Sequence, residues 1–268
     1  MGSPGVGTLC NPGARRQCAG TSFGEIVSHG NLIDSSIHRI RESEYSNKVP
    51  REVPAITIDN IRQTHRERLD EIRARLGEFE EIRRHAGDEV LWQEMVFCFF
   101  TGGCSAKMGI NSLEAVKPVL MEGTQPEIAD ALVGHHRYPN ARSKYVVHSR
   151  EFLKESLGLQ LRAKLESFDC QLARRDWLVR EKGIKGLGYK EASHYLRNIG
   201  FRGYAILDKH VLNCLAELGI IDDPKPPNTR AKYLTVEQNL KQLTQSIGID
   251  FDEMDLVLWS MKTGVILK

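Results

Sequence analysis

The chain has 268 residues, 41% of them apolar and 27% charged, an ordinary composition for a folded protein with one large core or two small ones. No run of 18 apolar residues occurs, which argues against a helical membrane span. The six cysteines, at 10, 18, 98, 104, 170 and 214, form no C-x-x-C pair and no disulfide-like spacing, so a zinc ribbon is disfavoured and a reduced, intracellular protein is expected. The net charge of +2 is unevenly spread: residues 137–210 carry 16 Lys/Arg against 8 Asp/Glu, leaving −6 for the rest. A basic middle third suits a polyanion such as nucleic acid, and it equally suits a solvated helical surface.

Residues 1–53 begin with a Gly-, Pro- and Ser-rich stretch without apolar periodicity or the apolar run of a secretory signal, and they read as a disordered extension. Order is expected from Pro54. Asp59 or Asn60 can cap a charged helix over 61–85, in which Leu69, Ile72, Leu76 and Phe79 form one stripe. A helix over 88–101 is apolar nearly all round (Val90, Leu91, Trp92, Met95, Val96, Phe97, Phe99, Phe100), the signature of a central, buried element. The turn at 102–105 follows it. Further helical patterns fall at 112–121, 125–133, 140–157, 159–170 and 176–182. Strand-like alternation is almost absent, so the fold class is all-α.

The most specific stretch runs from Ile184 to Gly200: I-K-G-L-G-Y-K-E-A-S-H-Y-L-R-N-I-G. Gly186 and Gly188 allow positive φ and a close approach to a partner, and a helix starting near Tyr189 offers free N–H groups at its N-terminus. With a small residue, Ala192, at the crossing, the pattern is that of a helix-hairpin-helix, which grips a DNA strand through backbone amides without reading bases. Gly-x-Gly before a helix is also common in proteins that bind nothing there. Next, an apolar run, Tyr204 to Leu207, ends in Asp208 at the start of a helix reaching about Leu218. Asp208 is either a plain N-cap or an ionised carboxylate facing Lys190, an arrangement suited to attack at a sugar C1′.

The run 186–200, with the Ile206-Leu207-Asp208-Lys209-His210 segment, resembles the helix-hairpin-helix base-excision DNA glycosylases. It is most similar to the short, archaeal-type second class of 8-oxoguanine DNA glycosylase/AP lyases, whose hairpin reads G-x-G-Y-K-E-A-S-H-x-L-R-N-x-G followed by I-x-D-[RK]-H. The likeness extends over roughly residues 56–268, including Leu258-Trp259-Ser260-Met261-Lys262-Thr263-Gly264 and a final Lys268.

The resemblance implies two helical subdomains with the site in the cleft between them: 54–134 with 219–268, and a hairpin subdomain over 135–218. It implies Lys190 as the nucleophile, Asp208 as the assisting carboxylate, and Gly186, Gly188 and His210 as phosphate contacts. It also implies Trp259 stacking on the flipped base and the terminal carboxylate of Lys268 reading it. Without the resemblance, Trp259 beside Met261 reads as core. Tyr138 is a candidate for the base's other face, and a backbone carbonyl in 102–105 for the N7 test. No cysteine follows Cys214, so no iron–sulfur cluster is expected, nor any metal or organic cofactor. The expected partner is double-stranded DNA carrying 8-oxoguanine or abasic sites, engaged by a monomer away from any membrane. The alternatives are a glycosylase of the same fold for another damaged base, and a non-catalytic helix-hairpin-helix DNA-binding protein.

Overall fold

A computed structural model describes residues 56–267; the expectations for residues 1–53 and for Lys268 fall outside them. Eleven α-helices and no strand are found among the described residues. They are α1 Ile58–His85, α2 Asp88–Thr101, α3 Ala106–Val116, α4 Gln125–Leu132, α5 Pro139–Leu157, α6 Leu161–Glu166, α7 Gln171–Arg180, α8 Tyr189–Asn198, α9 Lys209–Glu217, α10 Arg230–Ile247 and α11 Phe251–Thr263. None of these is long and apolar enough to cross a membrane.

Local chemistry explains where the boundaries differ from expectation. Helix α1 starts at Ile58 because Thr57, not Asp59 or Asn60, is the cap: its side chain accepts from Asn60 N at 3.2 Å. Ser105 caps α3, its Oγ accepting from Met108 N at 3.2 Å, so that helix begins six residues before position 112. The 159–170 pattern shrinks to Leu161–Glu166 because Leu159 takes a left-handed conformation (φ 61°) after Gly158. Helix α7 begins at Gln171 on an unexpected cap, the Cys170 thiol, which accepts from Ala173 N at 3.4 Å.

Buried apolar side chains gather into two groups. The first runs from Ile82 at the end of α1 to Tyr204 and is built around α2, on which α8 packs. The second joins Ile56, Ile61 and Ile72 with Ala205 to Ile266, hence α1 with α9, α10 and α11. This division differs from the expected subdomain limits. Helices α2–α4 pack with α5–α8 because α2, apolar on every face, needs partners all round, and α9 packs with the C-terminal helices. The chain passes from one group to the other between Tyr204 and Ala205, three residues before Asp208.

Candidate active site

The hairpin between α7 and α8 is held from below. Gly186 has φ +85°, and a Cβ there would lie 2.7 Å from the Tyr145 ring, so both backbone and packing require glycine. Lys185 N donates to Ser149 Oγ at 2.9 Å, fixing the turn to α5. Gly188 departs from expectation: its φ of −87° is one that any residue adopts. Its service is different, since as N-cap of α8 it brings no side chain to the first-turn amides and leaves them to an outside acceptor.

Helix α8 then carries Lys190, His194 and Arg197 at i, i+4 and i+7 along one face. Opposite stands the N-terminus of α9, where Asp208 Oδ1 accepts from Val211 N at 2.8 Å. Asp208 caps α9 and lines the same cavity as Lys190. That cavity, about 270 Å³, is completed by Asp255, Trp259 and Thr263 from α11, by Thr101 and Cys104 below the 102–105 turn, and by His210 and Leu267. It opens beside a wider cleft of about 720 Å³, bordered by Gly188, Lys190, Glu191, Asp208, Lys209, His210 and Arg137.

Lys190 Nζ lies 3.4 Å from Glu191 Oε1, so the charge partner of this amine is its chain neighbour rather than Asp208. On the cavity wall Arg197 Nη2 meets Asp255 Oδ2 at 3.3 Å. Burial pushes the Asp255 carboxyl above its ordinary value of 3.8, with the Arg197 guanidinium opposing the shift.

The structure therefore brings together Lys190, Asp208, His210 and Trp259, with Gly188 at the cleft. Trp259 is only partly buried and lines the cavity, whereas Met261 is core. Two expected contributors stand elsewhere. Gly186 packs against Tyr145 and borders neither space. Tyr138 is 46% exposed and lines neither space. It is turned outward because His136, buried beneath it, accepts from Tyr138 N at 2.9 Å through Nδ1 and reaches Phe100 O at 3.0 Å through Nε2. In the 102–105 turn, the Gly102 carbonyl is taken by the Arg142 guanidinium, so Gly102 is a poor candidate for the N7 test. Arg197, Asp255 and His194 were not among the expected site residues. Helical spacing from Lys190 and from Trp259 (Asp255 is four residues earlier) is the signal that points to them.

An all-helical fold in which a backbone hairpin presents free amides, and the next helix carries a lysine into an enclosed cavity, defines the helix-hairpin-helix class of DNA-processing proteins. The family model described as 8-oxoguanine DNA glycosylase matches residues 72–249. A relative from Korarchaeum cryptofilum named 8-oxoguanine DNA glycosylase/AP lyase is 39% identical over 198 residues, 74% of this chain and 90% of its own. One of the same name from Fusobacterium nucleatum is 32% identical over 213 residues, 78% and 97% of the two chains. The crystal structure of the Methanocaldococcus jannaschii 8-oxoguanine glycosylase/lyase in complex with a 15mer DNA containing 8-oxoguanine is similar at a TM-score of 0.72. It is 32% identical and covers 79% of this chain and 99% of that one. The 8-oxoguanine DNA glycosylase of Thermotoga maritima gives 0.71 at 30% identity, with 79% and 98% covered. The chain belongs to the 8-oxoguanine DNA glycosylase family.

Proposed function

We propose that this protein excises 8-oxoguanine from duplex DNA and then nicks the strand at the resulting abasic site, with Lys190 as nucleophile. The observation that carries the reading is that Lys190 and Asp208, from helices belonging to different buried groups, line one enclosed cavity together with Trp259.

The open amides after Gly188, with His210 and the basic surface, take the DNA phosphates and offset the few kcal/mol, roughly, that flipping a nucleotide costs. Trp259 offers a ring for the flipped base. Attack needs the neutral amine, so the Lys190 ammonium, 3.4 Å from Glu191 Oε1, must give its proton to solvent before the bond to C1′ forms. The amine lone pair forms the bond to C1′ while the C1′–N9 pair leaves with the base. Asp208, fixed at the α9 terminus by its bond from Val211 N, stabilises the positive charge growing on the sugar. Opening of the sugar ring leaves a Schiff base, which acidifies C2′–H. Loss of that proton expels the 3′ phosphate and cuts the strand. Acting on DNA, the protein works inside the cell, as a monomer.

Borohydride trapping on a duplex with one 8-oxoguanine tests the assignment. The native protein should form a covalent adduct, and Lys190→Gln should abolish adduct, base release and nicking while DNA binding persists. Asp208→Asn should slow excision by about 100-fold or more. It should cost little stability, because Asn caps a helix about as well as Asp. An adduct on Lys190→Gln would identify another amine as the nucleophile.

A further inference from the structure

Lys190 and Asp208 sit on different chain segments, and their separation must be fixed for either to be useful. A chain of buried polar groups lies directly behind them. Arg175 of α7 forms a two-pronged ion pair with Glu237 of α10, Nη1 to Oε2 at 2.6 Å and Nη2 to Oε1 at 3.1 Å, both side chains at most 5% exposed. Arg175 Nη1 also donates to Ser193 Oγ, 3.1 Å away on α8, one turn after Lys190. Glu237 Oε2 accepts from Ala205 N at 3.0 Å. The Tyr233 hydroxyl, one turn before Glu237, donates to Ala205 O at 2.7 Å, lies 3.4 Å from Leu207 N and 3.3 Å from Ser193 Oγ.

Residues 205–207 have no sheet or helix to satisfy them, yet they lead straight into Asp208. Their polar groups must find partners when buried: Ile206 O accepts locally from Asp208 N, and the distant partners are Glu237 and Tyr233. Ser193, on the helix that carries Lys190, closes the ring. The first turn of α8 has a separate anchor: Tyr189 Oη donates to Asp176 at 3.0 Å, and Asp176 pairs with Arg230 at 2.9 Å.

We infer that Tyr233, backed by the Arg175–Glu237 pair, is a positioning residue that sets where Asp208 stands relative to Lys190. The inference rests on the proposed roles of those two residues. It predicts an asymmetry between the two activities. Loss of the Tyr233 hydroxyl leaves Ala205 O and Leu207 N without their partner and loosens the segment that leads into Asp208, while Lys190 keeps its own anchor. Base excision needs the carboxylate against the developing sugar cation. Schiff-base formation on a preformed abasic site starts from an open aldehyde and needs chiefly the amine.

The test is single-turnover kinetics of Tyr233→Phe on an 8-oxoguanine duplex and on a preformed abasic duplex, with the thermal midpoint and DNA affinity measured alongside. Phenylalanine keeps the ring that packs on Tyr189 at 5.5 Å. Excision should fall by up to about 100-fold, the scale expected when a reacting group is displaced by an ångström, and abasic nicking by only a few-fold. A purely structural role would lower both in the same proportion, and that result, or unchanged excision, overturns the inference. Should Tyr233→Phe fail to fold, Glu237→Gln weakens the pair that backs the same segment and should give the same asymmetry at smaller size; equal losses there overturn it too. Asp208→Asn run in parallel separates the two levels. If it excises normally, the role given to Asp208 is wrong. If it is inactive while Tyr233→Phe is normal, only the positioning role is lost.

Discussion

Two buried ion pairs in this protein are built differently. Arg175–Glu237 is two-pronged, and Glu237 takes a further donor from Ala205 N, so both carboxylate oxygens and both terminal guanidinium nitrogens are engaged and only Arg175 Nε is left without a partner. Arg197–Asp255 is a single 3.3 Å contact; Nε and Nη1 of Arg197 have no hydrogen-bond partner, and its guanidinium lies instead over the Phe79 ring at 4.8 Å. The first pair joins helices in the interior, and the second faces the cavity. Polar groups taken out of water are costly unless saturated. The more fully bonded pair ties three elements together in the interior, whereas the pair on the cavity wall rests on one contact and the Phe79 ring.

The largest effect should come from breaking the more fully bonded pair. Glu237→Ala strands the Arg175 charge and the Ala205 amide and should cost about 3–5 kcal/mol, read from urea midpoints at constant m-value. Replacing both partners by well-packed apolar residues should recover most of that stability. If Glu237→Ala costs no more than a surface substitution, the contrast between the pairs collapses.

Asp255→Asn should cost less, about 1–2 kcal/mol at neutral pH, because an amide oxygen can still accept from Arg197. Its pH dependence sharpens the comparison. The folded Asp255 carboxyl is raised above 3.8 by burial, so between its unfolded and folded values the native state binds more protons than the unfolded chain. Its contribution to stability is therefore greatest at acid pH and falls as pH rises through that window. Thermal midpoints of Asp255→Asn minus those of the native protein should climb across it; a flat difference would remove Asp255 from the titration.

The smallest effect is expected at His136, buried outside both the cavity and the cleft. His136 is held below its ordinary value of 6.5, mainly by burial, against the favourable contact to Phe100 O. Because Tyr138 N donates to Nδ1, the neutral ring carries its proton on Nε2. As pH falls below 6.5 the unfolded chain binds the proton first, so stability present above that value is lost on acidification. His136→Gln should flatten this slope between pH 7 and 5, and an unchanged slope would assign it to other groups.

Much of this protein was legible from local sequence because the relevant physics is local. The nearly all-round apolar character of α2, the positive φ at 186 that favours glycine, and Asp208 as a helix cap all depend on residues a few positions apart. Helix α10 was harder to see: its buried face holds Tyr233, Glu237 and Thr244 among the leucines, which blurs the apolar stripe. Tyr233 and Glu237 are buried for a tertiary reason, to satisfy the distant segment 205–207. Only the assembled fold decided that Arg197 meets Asp255, that Arg142 occupies the Gly102 carbonyl, and that Tyr138 faces outward. Spacing along one helix shows which side chains share a face. What that face meets depends on long-range packing between elements, and no local pattern encodes it.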